Sequence, residues 1–361
     1  MAVTTTVDVF TVPTPAPETD GTARWTSTTV VAVRIAAAGE EGLGWSYTQP
    51  AAADVVQSSL LSAFEDADLD DIPLLRHRMR AAVRNAGATG VVASALSAVD
   101  IALWDLKARR LGRSVASLFG RIRDEAVVYG SGGFTNYDDA TTVAELQHWL
   151  DLGIRNAKIK IGQDWGAAPE RDLARTALAR RTLGDGVGLF VDANGGYSVG
   201  QATRMAHALA ELDVVWFEEP VSSDWPEQLA AVRAQASMDI AAGEYVWRLA
   251  DARQLLEHGA VDCLQLDVTR CGGWSSWFEC AALAQAHGLQ VSAHCAPHLA
   301  VHAAVATPNA RHLEFFVDHE RVDAALFDGV PPVMDGTLRP DLEAPGHGMQ
   351  LAEGAEQYRA R

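Results

Sequence analysis

The chain is short of cysteine, of long apolar runs and of positive charge. Its four cysteines, Cys263, Cys271, Cys280 and Cys295, lack the Cys-x-x-Cys spacing of a zinc ribbon and read as reduced, buried thiols. No stretch approaches the roughly 18 uninterrupted apolar residues of a membrane span. Met1 to Pro17 is rich in Thr and Val but has no early basic residue and no apolar core of a secretory signal, which points to a cytoplasmic protein. Lys and Arg number 29 against 47 Asp and Glu, a formal charge of -18, so the surface field repels phosphate backbones and anionic lipid heads. Nucleic acid and membranes are thereby set aside. The expected partners are small molecules and further copies of the chain.

What is present is an ordinary folded composition, 48% hydrophobic and 21% charged over 361 residues, enough for two domains or one large barrel with an addition. From about residue 124, eight β-rich runs alternate with helical stretches: Ala126–Tyr129, Ala157–Ile161, Gly188–Val191, Val214–Phe217, Asp239–Ala242, Cys263–Leu266, Gln290–Ser292 and Leu313–Phe315. Runs such as Gly-Leu-Phe-Val and Val-Val-Trp-Phe suit strands buried on both faces of a parallel sheet. The pitch predicts a (β/α)8 barrel, with a doubly wound open sheet as its rival. Before it, Val30–Ala36 reads as a strand followed by a Gly-rich turn at Gly39, Gly42 and Gly44, and Ser94–Leu111 as a long helix. After about Val322, Pro331, Pro332, Pro340 and Pro345 mark an irregular tail. The expected division is an α+β segment over 1–123, a barrel over 124–320, and a tail over 321–361 that packs back on the rest.

Ionisable residues recur at the C-terminal ends of the predicted strands, where a barrel carries its chemistry. They are Lys158 and Lys160, Asp192, Glu218, Glu244, Asp267, His294 and Glu314. Asp192 to Glu218 and Glu218 to Glu244 are each 26 residues, one carboxylate per β-α unit. A lone acid at a strand end usually caps a helix. Three at one pitch set oxygen ligands side by side on one rim, a hard-cation site that favours Mg2+ over Zn2+. Glu219 alternates to the other side of its strand, where it can support the lysines or the metal's surroundings. Lys158 and Lys160, two apart, face one side; burial and mutual repulsion are expected to lower their pKa values, as a lysine base requires. Asp267 on the neighbouring strand can bond one imidazole nitrogen of His294 and leave the other free as a base.

Taken together, Lys158-x-Lys160, Asp192 with Asn194, Glu218-Glu219-Pro220, Gly243-Glu244, Asp267 with Gly272-Gly273, His294 and Glu314 resemble the enolase superfamily, in its mandelate racemase subgroup, over nearly the whole chain. The resemblance implies an N-terminal α+β capping domain, a modified (β/α)7β barrel and a C-terminal segment returning to the cap. It implies Mg2+ on Asp192, Glu218 and Glu244, bases at Lys160 and His294, the latter paired with Asp267, and contacts to the substrate carboxylate from Lys158 and from a protonated Glu314. Asn194 would contact the substrate 2-hydroxyl or support the metal. Such a site removes the proton α to a carboxylate and stabilises the resulting enediolate.

The shared step leaves the outcome open among dehydration of an acid sugar, racemisation or epimerisation, and opening of a sugar lactone by elimination. Cap loops at about 19–26 and 46–53, with Arg24, Trp25, Tyr47 and Gln49, are polar enough to recognise several hydroxyls or a carboxylate and favour dehydration of an aldonic or aldaric acid. A silent, metal-binding barrel would lack a base or a ligand, and none is missing. A metal-dependent hydrolase would want a His-x-His on an early strand, which the chain does not have.

Overall fold

The computed structural model describes residues 3–360. Met1, Ala2 and Arg361, the outer ends of the expected first and last segments, lie outside the described residues. The chain opens with three antiparallel strands in the order β1 (Thr4–Thr19), β2 (Arg24–Ala37), β3 (Glu40–Tyr47). β1, which composition alone did not mark as a strand, carries Pro13, Pro15 and Pro17. It lies at the sheet edge, where a missing N–H costs no ladder bond.

Two of the three glycines expected in a turn do something else. Only Gly39 turns the chain, with φ 88°. Gly42 and Gly44 lie inside β3, flat against the helix Val91–Arg110; a Cβ on Gly44 would stand 2.2 Å from the Ala98 carbonyl oxygen, and one on Gly42 2.3 Å from that of Ala102. The strand can press on the helix backbone because it has no side chains there.

The eight expected β-runs form β4 (Ala126–Gly132), β5 (Asn156–Lys160), β6 (Gly188–Asp192), β7 (Val214–Glu218), β8 (Asp239–Ala242), β9 (Cys263–Leu266), β10 (Gln290–Ala293) and β11 (Ala310–Phe316). Neighbours pair in parallel in chain order, and β11 pairs with β4. The sheet therefore closes, which decides for the barrel against the open sheet. Alternation sorts each strand. Leu189, Val191 and Phe217 join the large core between strands and outer helices, whereas Tyr129, Phe190 and Trp216 fill the barrel interior with Ala241 and Cys263. One step further along the inward face come Lys160, Asp192 and Glu218, paired across β5, β6 and β7. An aromatic plug thus supports a charged layer at the C-terminal mouth.

Past β11 the helix Val317–Leu326 leads into the tail, where Thr337–Leu338 pairs with β4 and Phe327–Asp328 with Gln350–Leu351. Near its end Ala360 donates its N–H to Val9 O, and Arg359 forms an ion pair with Asp8, both on β1. The four cysteines are free and buried. Among the described residues no helix is long and apolar enough to cross a membrane.

Candidate active site

Asp192, Glu218 and Glu244 come from three adjacent strands, and their ligand oxygens lie within 4.8 Å of one another. All three are buried, at 0%, 0% and 4% exposure. Three carboxylates so close in a dry site require positive charge. Here Lys158 Nζ lies 2.7 Å from both Glu218 oxygens and 3.8 Å from Asp192, Lys160 Nζ bonds Asp192, and Arg270 Nη1 lies 3.2 Å from Glu244. An all-oxygen, buried, converging donor set of this kind fits a hard divalent cation.

The lysines depart from expectation. Burial does pull their pKa values down, but Glu218, Glu314 and Asp192 around Lys158, and Asp192 beside Lys160, outweigh it and hold both above the usual range. Carboxylates outnumber ammonium groups in this layer, so attraction exceeds the mutual repulsion. Lys158 also lies beneath the floor of the cavity rather than on its wall, bridging Glu218 and Glu314, each at 2.7 Å.

His294 and Asp267 meet across β10 and β9 with Nδ1 to Oδ2 at 2.8 Å. Asp267 is oriented in turn through Oδ1, which accepts from the Thr269 N–H and hydroxyl, each at 2.7 Å. The expected free nitrogen is not free, since His294 Nε2 lies 3.1 Å from Glu244 Oε2. Burial lowers the His294 pKa, and the anions around it, Glu244, Glu314 and Asp267 among them, raise it well above the ordinary value, so the imidazolium form is favoured here.

Glu314 accepts from the Ser131 hydroxyl at 2.5 Å and the Cys295 N–H at 2.9 Å, and meets Lys158 at 2.7 Å. Burial would raise its pKa; Lys158 and His294 prevail and push it below the ordinary range. The protonated Glu314 of the sequence reading is therefore replaced by an ionised one. Glu219, at φ 35°, is turned beside Glu244 and not toward the lysines; burial, with the charge of Glu244 adding, holds its pKa well above the usual range. Asn194, at φ 46°, binds Asp192 through its backbone N–H at 2.8 Å and its amide at 3.2 Å, leaving its own oxygen unpartnered.

Above this layer lies a cavity of about 340 Å³ between cap and barrel. Lys160, Asn194, Glu244, His294 and Glu314 line it from below, and Trp25, Tyr47 and Gln49 from the cap. Arg24 does not. On β2 it alternates with Trp25, and it is exposed to solvent while Trp25 packs edge-on against Phe134 and donates to Glu18 at 2.9 Å. Sequence reasoning missed Arg270, Asp20, Asp318 and His319, which also line the cavity. Arg270 was within reach, one turn beyond Asp267. Asp318-His319 lies just past Phe315, where the expected strand ended.

A closed barrel with carboxylates on three consecutive strand ends, a lysine and an Asp-paired histidine on either side, and a cap over the mouth is the architecture of an enzyme. Comparison with known proteins agrees. Residues 4–120 match the mandelate racemase/muconate lactonizing enzyme N-terminal domain and 141–355 the enolase C-terminal domain-like family. The chain belongs to the mandelate racemase/muconate lactonizing enzyme family of the enolase superfamily. It is 32% identical to a 3,6-anhydro-alpha-L-galactonate cycloisomerase of Streptomyces coelicolor over 95% of each chain. A mandelate racemase/muconate lactonizing enzyme-like protein from Rubrobacter xylanophilus has the same fold, with 43% identity, 99% of each chain covered and a TM-score of 0.95. So does the L-talarate/galactarate dehydratase from Salmonella typhimurium LT2 liganded with Mg and L-lyxarohydroxamate, with 28% identity, 99% and 92% covered and a TM-score of 0.90.

Proposed function

We propose that this enzyme removes the proton α to the carboxylate of an acid sugar and expels the 3-hydroxyl as water, giving a 2-keto-3-deoxy acid. The observation that carries the reading is the placement of two proton-transfer groups around one carboxylate cluster: Lys160 on β5 and His294 after β10, with Asp192, Glu218 and Glu244 on β6 to β8 between them. Asp192, Glu218 and Glu244 would hold Mg2+, as the donor set and the magnesium in the Salmonella neighbour support. Bound there, the ion supplies Lewis-acid stabilisation of the second negative charge that develops on the substrate carboxylate.

Around that charge this chain's own residues divide the work. One of Lys160 and His294 takes the α-proton, and a conjugate acid gives a proton to the departing hydroxyl, so the C–H and C–O bonds break and the enol product tautomerises to the ketone. Asp267 fixes the ring of His294. Lys158 places positive charge beneath the carboxylate end, and Glu314 holds it there through their ion pair at 2.7 Å. A base must shed its proton first, and the carboxylates beside the two groups, Asp192 at Lys160 and Glu244 at His294, hold both protonated until then.

Cycloisomerisation of a sugar lactone or anhydro acid is the second reading, favoured by the full-length similarity to the Streptomyces cycloisomerase. Incubation of candidate acids with Mg2+ in D2O, followed by NMR, separates the two. Dehydration yields a 2-keto-3-deoxy acid, and cycloisomerisation an isomer of unchanged composition. A product carrying only deuterium at C2 with altered stereochemistry would instead establish racemisation or epimerisation.

A further inference from the structure

The relatives divide over the number of charges on the substrate: an anhydrogalactonate carries one carboxylate, whereas talarate and galactarate carry two. The cavity of this chain takes a side in that division. Its cationic lining residues, among those described, are Lys160, Arg270 and the His294 imidazolium. All belong to the barrel end and all are committed, Lys160 to Asp192, Arg270 to Glu244 at 3.2 Å and Asp267 at 3.4 Å, and His294 to Asp267 at 2.8 Å and Glu244 at 3.1 Å.

The rest of the wall adds negative charge. Asp20 reaches the lining from the β1–β2 turn, whose Gly21 packs on the Ile161 and Ala193 carbonyls, so its carboxylate stands in the field of Lys160; its Oδ1 accepts the N–H groups of Thr22 at 2.6 Å and Ala23 at 2.7 Å. Asp318 reaches the lining from the helix after β11, accepting from the Thr28 hydroxyl. The cation behind Asp318 is the half-buried Arg321, and it is committed: it pairs with Asp318 and donates to Pro13 O, and it does not reach the lining. Arg24, the base nearest the hairpin tip, faces solvent. His319 adds a donor without a charge. Its Nδ1 accepts the Ala296 N–H at 3.1 Å, which places the proton on Nε2, and burial pushes its pKa down to about 4.

Resting on the acid-sugar reading above, we propose that the substrate carries a single carboxylate and ends, on the cap side, in hydroxyls or a ring oxygen. A second carboxylate there would find the nearby cations already committed and would face the carboxylates of Asp20 and Asp318, whereas hydroxyl groups can donate to Asp20 and accept from His319. The resulting selectivity is built by repulsion as much as by fit.

The test uses the full-length enzyme with Mg2+ and pairs of acids that differ only at C6: galactonate and galactarate, gluconate and glucarate, mannonate and mannarate. Two quantities are measured, kcat/KM and exchange of the α-proton in D2O by NMR. In the reactive pair the aldonate is expected to lead its aldarate by at least about a hundredfold. Asp20→Asn, which keeps the oxygen that accepts from Thr22 and Ala23, should narrow that lead about tenfold. Gln49→Arg, which brings a cation to the cap wall, should also narrow it, independently of how Asp20→Asn folds.

An aldarate that equals or exceeds its aldonate overturns the proposal and leaves the acid-sugar reading standing. A wild-type preference that neither folded variant alters overturns the charge argument. Absence of both turnover and exchange for every acid overturns the acid-sugar reading, and this proposal with it.

Discussion

The Tyr47 hydroxyl, at the end of the last cap strand, donates to Asp323 on the helix that follows the last barrel strand. The other oxygen of Asp323 accepts from His298 Nδ1 at 2.6 Å, and the Tyr47 ring stacks on His319 with centroids 3.5 Å apart. Tyr47 is thus a bolt between cap and barrel as well as a wall of the cavity. Tyr47→Phe keeps the stack but leaves buried Asp323 with one donor fewer, so unfolding in urea should show a loss of about 1–3 kcal/mol. Unchanged stability would mean that water replaces the hydroxyl there.

Glu218→Gln should weaken Mg2+ binding and turnover together, because it removes the charge of one of the three carboxylates proposed to hold the ion while preserving size. Binding is read without activity, as the rise in melting temperature on adding Mg2+, which should be clear in the wild type and reduced in the variant. Full turnover after exhaustive chelation would remove the metal from the proposal.

Asp267→Asn should lower kcat by at least about a hundredfold while the fold and the Mg2+ response persist. The amide presents an N–H where His294 Nδ1–H now finds an acceptor, and so selects the wrong tautomer. Near wild-type turnover would show that His294 does not carry a proton in the reaction.

Gly44→Ala should cost at least about 2–3 kcal/mol, since its Cβ has no place 2.2 Å from the Ala98 carbonyl and the helix Val91–Arg110 must move away from β3. Chemical denaturation measures it. Gly39→Ala is the control, with open space around the new methyl and only the strain of φ 88° to bear.

Acid should destabilise the protein through two buried neutral histidines. Burial pushes His302 and His312 down to about 3 from 6.5. Their folded pKa values are depressed, so below pH 6.5 the unfolded chain binds protons that the folded chain refuses, and stability falls as the pH falls toward 3. His302→Phe should make the slope of unfolding free energy between pH 6.5 and 4 shallower by up to about 1.4 kcal/mol per pH unit. An unaltered slope would mean that His302 is protonated in the folded protein.

The barrel was legible because its strands are largely buried on both faces and every one after β4 carries an ionisable residue at or near its end, so composition and pitch point to the same positions. Lys160, Asp192 and Glu218 meet through strand register, which spacing captures. The cap was less legible. The prolines of β1 hide an edge strand, and Gly42 and Gly44 are small because a helix backbone lies over them, a cause outside their own segment. Arg24 was misplaced for want of one fact, which face of β2 looks at the barrel. The charge states were misjudged because a pKa depends on how many opposite charges converge, and a spacing rule counts only neighbours along the chain. Lys158 and Glu314 hold each other ionised across 2.7 Å although 156 positions separate them.

The two halves of the cavity wall are written on separate stretches of chain. The groups proposed to handle the proton and the cluster of acids occur between Lys160 and Glu314, whereas most of the cap-side surface is encoded between Asp20 and Gln49, with Asp318 and His319 added from the helix after β11. A short block of about thirty codons can therefore be rewritten, by drift or by recombination with a relative, without disturbing a residue that moves a proton. Descendants of one ancestor can in this way inherit a single reaction and diverge in diet.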